Sequence, residues 1–307
     1  MNKIAFLYSG QGAQFPGMGR DLYEAFPSLR ALYEEASALL GYDTAAKSFH
    51  DSPDFNDTLF AQPLNFILQR ALTLLLEESV SPAGLAGHSL GEYAALCAGG
   101  AFSFAQGLSL LSFRARHMQR AAEERPGAMY AVLKLTPEQV EAACEETEGY
   151  VKAVNYNSPL QTVIAGESGP AQAAAERCKA QGARIAPLAV NAAFHSALMQ
   201  GAAQGFYDDV KDFPLTAPTV PFYSNVTGGK MEDFSALPAY LRDHLVSPVR
   251  FTEELAALQA DGYNVFVELG PGKTLQGLVK KTLENVTVLG VQDLPTLEKA
   301  REALAQL

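Results

Sequence analysis

The sequence predicts an α/β protein: a large domain on a largely parallel sheet, with a small ferredoxin-like domain inserted into it. Three observations carry that expectation. Strand-like runs such as IAFLY (residues 4–8) and YNVFVELG (263–270) alternate with helical stretches such as 64–78, the rhythm of βα units. An interior section has its own order of elements, strand, helix, strand, strand, helix, strand. That section is bounded by Arg125-Pro126-Gly127 before it and the turn-like NAAFHS after it, as an insertion would be. The large domain is therefore expected over residues 1–126 and 191–307, and the small one over 127–190.

Taken in chain order, IAFLY reads as the first buried strand and SGQGAQFPGMG (9–19) as a glycine-rich loop after it. The loop lacks the Walker lysine and the full GxGxxG spacing, so nucleotide binding is poorly supported. Its free N–H groups could equally hold an oxyanion. Next comes LAGHSLGEYAA (85–95), in which Gly87 and Gly91 flank Ser89 in the Gly-x-Ser-x-Gly pattern. In such an elbow a serine sits in a strand-to-helix turn so crowded that the residues two positions away must lack side chains. Helix formers follow Ser89, and Gly99-Gly100 ends the helix, so the Leu90 N–H and the positive helix end are expected beside the hydroxyl. A plain tight βα turn is the alternative reading.

A further helix starts at a Ser-x-x-Gln capping box, Ser103 to Gln106, and its apolar stripe runs Phe104, Leu108, Leu111, Ala115, Met118. Arg114 falls at the edge of that stripe, where an arginine needs an anionic partner. A ligand would serve, and so would a carboxylate of the protein or snorkelling to solvent. The insert then reads AMYAVLKL (128–135), PEQVEAACEE, VKAVNYN (151–157), QTVIAGE (161–167), GPAQAAAERCKAQG and RIAPLAV (184–190). ELGPGK (268–273) is a loop after the last clear strand, with no chemistry assigned.

A nucleophilic serine needs a base, and the chain has five histidines. His88 is adjacent to Ser89 and points elsewhere, while His117 and His244 lie in charged helical stretches and His50 in a polar loop, which are ordinary surface settings. His195 follows a strand end in NAAFHSALM, the kind of place where α/β folds build sites, and is preferred as the base.

Composition narrows the class. The 307 residues are 48% hydrophobic and 19% charged, which suits a large globular enzyme or binding protein. The formal charge of −11 argues against nucleic acid or an anionic membrane as partner. The three cysteines show no CxxC spacing, so neither a disulfide framework nor a zinc site is expected. With no signal-like N-terminal run and no segment approaching transmembrane length, the expectation is a cytoplasmic protein.

Together, GQGAQFPGMG, GHSLGEY, RARHMQ, VNYNSPLQTVIAG, AFHSALM, APTVPFYSNV, SPVRF and ELGPGKTLQGL resemble one family along nearly the whole chain, the malonyl-CoA:acyl carrier protein transacylases. The resemblance implies an α/β-hydrolase-like large domain with a ferredoxin-like insert. It implies Ser89 as acyl-accepting nucleophile, His195 as base, and the backbone N–H groups of Gln11 and Leu90 as oxyanion hole. Arg114 matches the arginine that pairs with the free malonyl carboxylate, and Phe194 a position tied to malonyl over methylmalonyl. Gln62 and Gln161 match lesser pocket positions.

The same resemblance implies that a backbone carbonyl of SPVRF orients the histidine. Ser247 and Arg250 stand where many relatives have asparagine and glutamine, which removes support for a side-chain role there. The implied partners are malonyl-CoA and acyl carrier protein, with no metal or tightly held cofactor, and a monomer is expected. The pathway is expected to be fatty acid synthesis, with a polyketide acyltransferase or acyl hydrolase as alternative. A non-catalytic carrier-protein-binding module is the alternative of another class. An α/β-hydrolase esterase would instead place its histidine close to the C-terminus.

Overall fold

The computed structural model describes residues 2–307. Its main sheet has four parallel strands, β1 (Ile4–Tyr8), β2 (Gly84–Gly87), β9 (Val265–Leu269) and β10 (Thr287–Val291), in the order β10-β9-β1-β2. A parallel bridge from Leu85 to Phe222 extends it past β2, just before the short strand β7 (Tyr223–Ser224), which pairs with β8 (Gly229–Lys230). Along β1, Phe6 and Tyr8 pack into one apolar cluster and Ala5 and Leu7 into another, so both faces of the sheet are covered. Continuous hydrophobicity in IAFLY is the sequence mark of that two-sided burial.

The second sheet is antiparallel and is made from β3 (Gly127–Leu133), β4 (Val151–Ser158), β5 (Gln161–Glu167) and β6 (Arg184–Pro187), in the order β4-β5-β3-β6. With helices Pro137–Glu145 and Ser168–Ala180 between its strands, this is the expected βαββαβ unit. Its edge strand β4 reaches the large domain: Val249 N–H donates to the Val154 carbonyl and Tyr156 N–H to the Val249 carbonyl, both at 2.8 Å.

Two expectations need correction. The helical stretch 64–78 is one end of a 20-residue helix, Thr58–Glu77. Pro63 suggests a start, yet within a buried helix it removes only one ladder bond and is tolerated. That helix is also long and apolar enough to cross a membrane, against the expectation that no segment is. In the fold, 78% of its most apolar window is buried against protein, the environment its apolar faces require. Cys97, Cys144 and Cys178 are all free and buried.

Candidate active site

The site stands at the C-terminal ends of β1 and β2. Tyr8 and Gly87 are register partners, and the chain leaves each strand by a short turn, so Gln11 and Leu90, each three residues further on, rise side by side. At the end of β2 the turn is as tight as its spacing implies. A Cβ on Gly87 would come within 2.1 Å of the Gly91 carbonyl carbon, and one on Gly91 within 2.0 Å of the Tyr8 carbonyl oxygen. Only hydrogen fits at either place. Ser89 is held between them at φ 52°, a left-handed conformation costing about 1–3 kcal/mol for a residue with a side chain. The helix Gly91–Ala98 begins directly after it, pointing its positive end at the serine.

Ser89 Oγ lies 2.7 Å from His195 Nε2. On the far side of the ring, Nδ1 lies 3.1 Å from the carbonyls of both His244 and Ser247. Two acceptors fix the Nδ1–H tautomer, which leaves Nε2 as the bare nitrogen that takes the serine proton. The Ser247 carbonyl belongs to the SPVRF segment, and the His244 carbonyl is a second orienter. Among the described residues no carboxylate fills that place, which is not the arrangement an esterase triad has. His195 too has positive φ, at 60°. Burial, and then the nearby Arg114 charge, pushes its pKa down to about 3.

Arg114 projects into the same place from the helix Phe104–Glu124, whose Ser103–Gln106 capping box is present. It is 1% exposed, donates from Nη2 to Ser89 Oγ at 3.1 Å, and lies over the Tyr93 ring at 5.4 Å. Its Nε has no partner among the described residues. Neither the internal salt bridge nor snorkelling therefore accounts for it: the cation is buried beside the nucleophile with donor capacity to spare.

These groups share a cavity of about 460 Å³, lined by Gln11, Gln62, Ser89, Arg114, Met118, Phe194 and His195 among others. The N–H groups of Gln11 and Leu90 donate to no backbone carbonyl among the described residues. Buried Gln62 donates to Gln11 Oε1 at 3.3 Å, bracing the glycine-rich loop. Phe194, half-buried, forms the wall next to His195.

Gln161 stands apart. It begins β5, receives a bond from Lys281 at 3.4 Å and does not line the cavity. Arg250 turns its guanidinium to Glu253 at 3.1 Å. His88 lines the cavity and bonds Asn157 Oδ1 at 2.8 Å.

His244 corrects the surface reading. It is fully buried, because Leu237, Leu241 and His244 form one inward stripe at spacings of four and three. That stripe was the available signal, masked by its charged neighbours Arg242 and Asp243. Sequence reasoning also missed Asn225, Glu92, Tyr240 and Glu254, which form a buried polar network beneath the elbow. Asn225 N–H donates to Glu92 Oε1 at 2.6 Å, and the Tyr240 hydroxyl to both Glu92 oxygens at 2.8 Å. Burial pushes the Glu92 carboxyl up to about 8, raises Glu254 well above its ordinary range, and holds His244 neutral.

Known proteins resemble this chain along nearly its whole length. A family model described as acyl transferase domain matches residues 5–306. The malonyl CoA-acyl carrier protein transacylase of Bacillus subtilis strain 168 is 38% identical, over 100% of this chain and 98% of the relative. The crystal structure of that enzyme from Clostridium perfringens superposes with a TM-score of 0.95 at 37% identity, covering 99% of this chain and 98% of that one. A malonyl-transacylase in complex with its type II PKS acyl-carrier protein superposes at 0.94 and 36% identity, covering 98% of this chain and 100% of that one. Matched along nearly its whole length in both sequence and fold, this chain belongs to the acyl transferase domain family and, within it, to the malonyl CoA-acyl carrier protein transacylases.

Proposed function

We propose that this chain moves a malonyl group from malonyl-CoA to the phosphopantetheine thiol of an acyl carrier protein through an ester on Ser89. The observation that carries the reading is the position of Ser89 Oγ, 2.7 Å from His195 Nε2 and 3.1 Å from a buried arginine. A dyad alone serves any acyl group. A buried cation beside it, with unused donor capacity, favours an acyl group that carries its own carboxylate.

In the first half-reaction His195 Nε2 takes the Ser89 proton as Oγ bonds to the thioester carbonyl carbon. The negative oxygen of the tetrahedral intermediate lies at the N–H groups of Gln11 and Leu90. Collapse breaks the C–S bond, and the departing thiolate takes the proton from His195. In the second half the carrier's thiol gives its proton to Nε2, its sulfur attacks the ester, and Ser89 recovers the proton as it leaves.

The substrate carboxylate also tunes the base. Because the Arg114 charge helps hold His195 far below its ordinary range, a carboxylate paired with Arg114 offsets that charge and strengthens Nε2 as a base. The malonyl group thereby helps to activate the residue that attacks it.

Brief incubation with malonyl-CoA, followed by peptide mass mapping, is expected to place a malonyl ester on Ser89. An ester on another serine, or full turnover with Ser89 unmodified, would overturn the reading.

A further inference from the structure

Asn225 neither lines the catalytic cavity nor is exposed, yet all its hydrogen-bonding groups are engaged with the machinery around the nucleophile. Its Oδ1 accepts from the Ser89 N–H at 2.7 Å. Its Nδ2 donates to the Gly87 carbonyl at 2.6 Å and to Glu254 Oε2 at 2.6 Å. Its main-chain N–H donates to Glu92, and its carbonyl accepts from Arg250 N–H at 3.0 Å. The other neighbour of Oδ1 is His244 Nε2, at 3.3 Å. The backbone of His244 receives the proton-bearing nitrogen of the catalytic base.

We propose that Asn225 is a positioning residue, whose carboxamide clamps the Gly87 carbonyl to the Ser89 N–H and so holds the nucleophile's strained turn in line with its base. The proposal rests on the malonyl-transfer reading of the same site.

The elbow needs such a clamp for a definite reason. Ser89 is in a left-handed conformation, so its N–H points away from the helix that follows and has no helical partner. The Gly87 carbonyl, at the last residue of β2, faces the same side. One primary amide presents an acceptor and a donor at the spacing of that pair, which a carboxylate or hydroxyl does not. The clamp is itself anchored from beneath: β7 lies beside β2 through the Leu85–Phe222 bridge and brings Asn225 under the turn. Its main-chain bonds to Glu92 and Arg250 do not depend on its side chain, so a substitution can release the clamp while the loop stays in place.

The test measures the rate at which Ser89 is esterified by malonyl-CoA in single turnover, with Asn225→Ala and the near-isosteric Asn225→Asp. Because misplacement of reacting groups by about 1 Å costs on the order of a hundredfold, Asn225→Ala should esterify Ser89 about 100-fold more slowly. Malonyl-CoA affinity, measured in the Ser89→Ala background, should stay within about twofold, since the residue does not touch the cavity.

Asn225→Asp keeps the acceptor for Ser89 but turns a carboxylate toward the Gly87 carbonyl and Glu254. Its own protonation, eased upward by those neighbours, restores the donor. Its esterification rate should therefore climb as pH falls from 8 to about 5.5, whereas the wild-type and Asn225→Ala profiles should share one shape.

Wild-type esterification rates in both variants would overturn the clamp, as would equal losses of affinity and rate. An Asn225→Asp profile of the same shape as wild type would do so as well. Absence of a malonyl ester in the wild-type protein would instead strike the transfer reading and is scored separately.

Discussion

At the scale of single residues the site is built on two φ-strained side chains and one buried cation, and Arg114 is the place to separate binding from architecture. Losing one or two charge-assisted hydrogen bonds to a substrate carboxylate costs roughly 2–5 kcal/mol, about 30- to 3000-fold in rate. Arg114→Ala should slow malonyl transfer by that factor and acetyl transfer far less, because acetyl has no carboxylate. Steady-state rates with the two thioesters decide it: equal losses would make Arg114 a support for Ser89 alone. Local pattern singled out Ser89 by its elbow and preferred His195 by its strand end, but it left Arg114, at the edge of a helical stripe, open between a ligand and a partner within the protein; only the family resemblance gave it a role. Asn225 and the His244 carbonyl were not legible, because they act through an amide and a backbone group of residues far from Ser89 and His195 in the chain. Nothing in a local window marks such a partner.

Among elements, the turn from β2 into Gly91–Ala98 carries the tightest constraint. Gly87→Ala would drive a Cβ into backbone atoms at 2.1 Å, which no rotamer change relieves. Overpacking of this kind costs about 1–3 kcal/mol or more, so the melting temperature should fall by several degrees and Ser89 esterification should slow. A calorimetric scan beside the esterification assay tests this, and wild-type values in both would show that the turn has slack. The strands of the insert were legible because period-two alternation and short apolar runs are local. The start of Thr58–Glu77 was not, because a proline that usually marks a boundary is here absorbed by burial. Gln161 failed for a related reason: a hairpin end can face either domain, and the sequence does not say which.

For the whole molecule, buried ionisable groups set a stability optimum. Glu92, raised from 4.5 to about 8, and Glu254, raised with it, hold protons in the folded state that the unfolded chain releases. Their contribution is full below about pH 4.5 and is lost as pH rises toward 8. His195 and His244, ordinarily near 6.5, stay neutral when folded, so stability is lost again as acid protonates them in the unfolded chain. The two slopes oppose each other between about pH 4.5 and 6.5, and the melting temperature should be highest there. Glu92→Gln should make the decline from pH 6.5 to 8 shallower. Melting curves across that range test the assignment, and an unchanged slope would remove Glu92 as its source.

The register of the main sheet has a consequence for how the chain is made. β1 is central, yet its partner on one side is β9, where Ile4 pairs with Val265. Emerging from a ribosome, the first strand waits through most of synthesis with one edge bare, while Ser89, His195 and Asn225 are already outside. Pairings this distant in sequence fold slowly, and an open apolar edge invites association with other chains. The enzyme's long-range topology thus leaves one edge of its central strand unpaired until the chain has been made as far as Val265, and only then can the sheet that aligns the catalytic groups close.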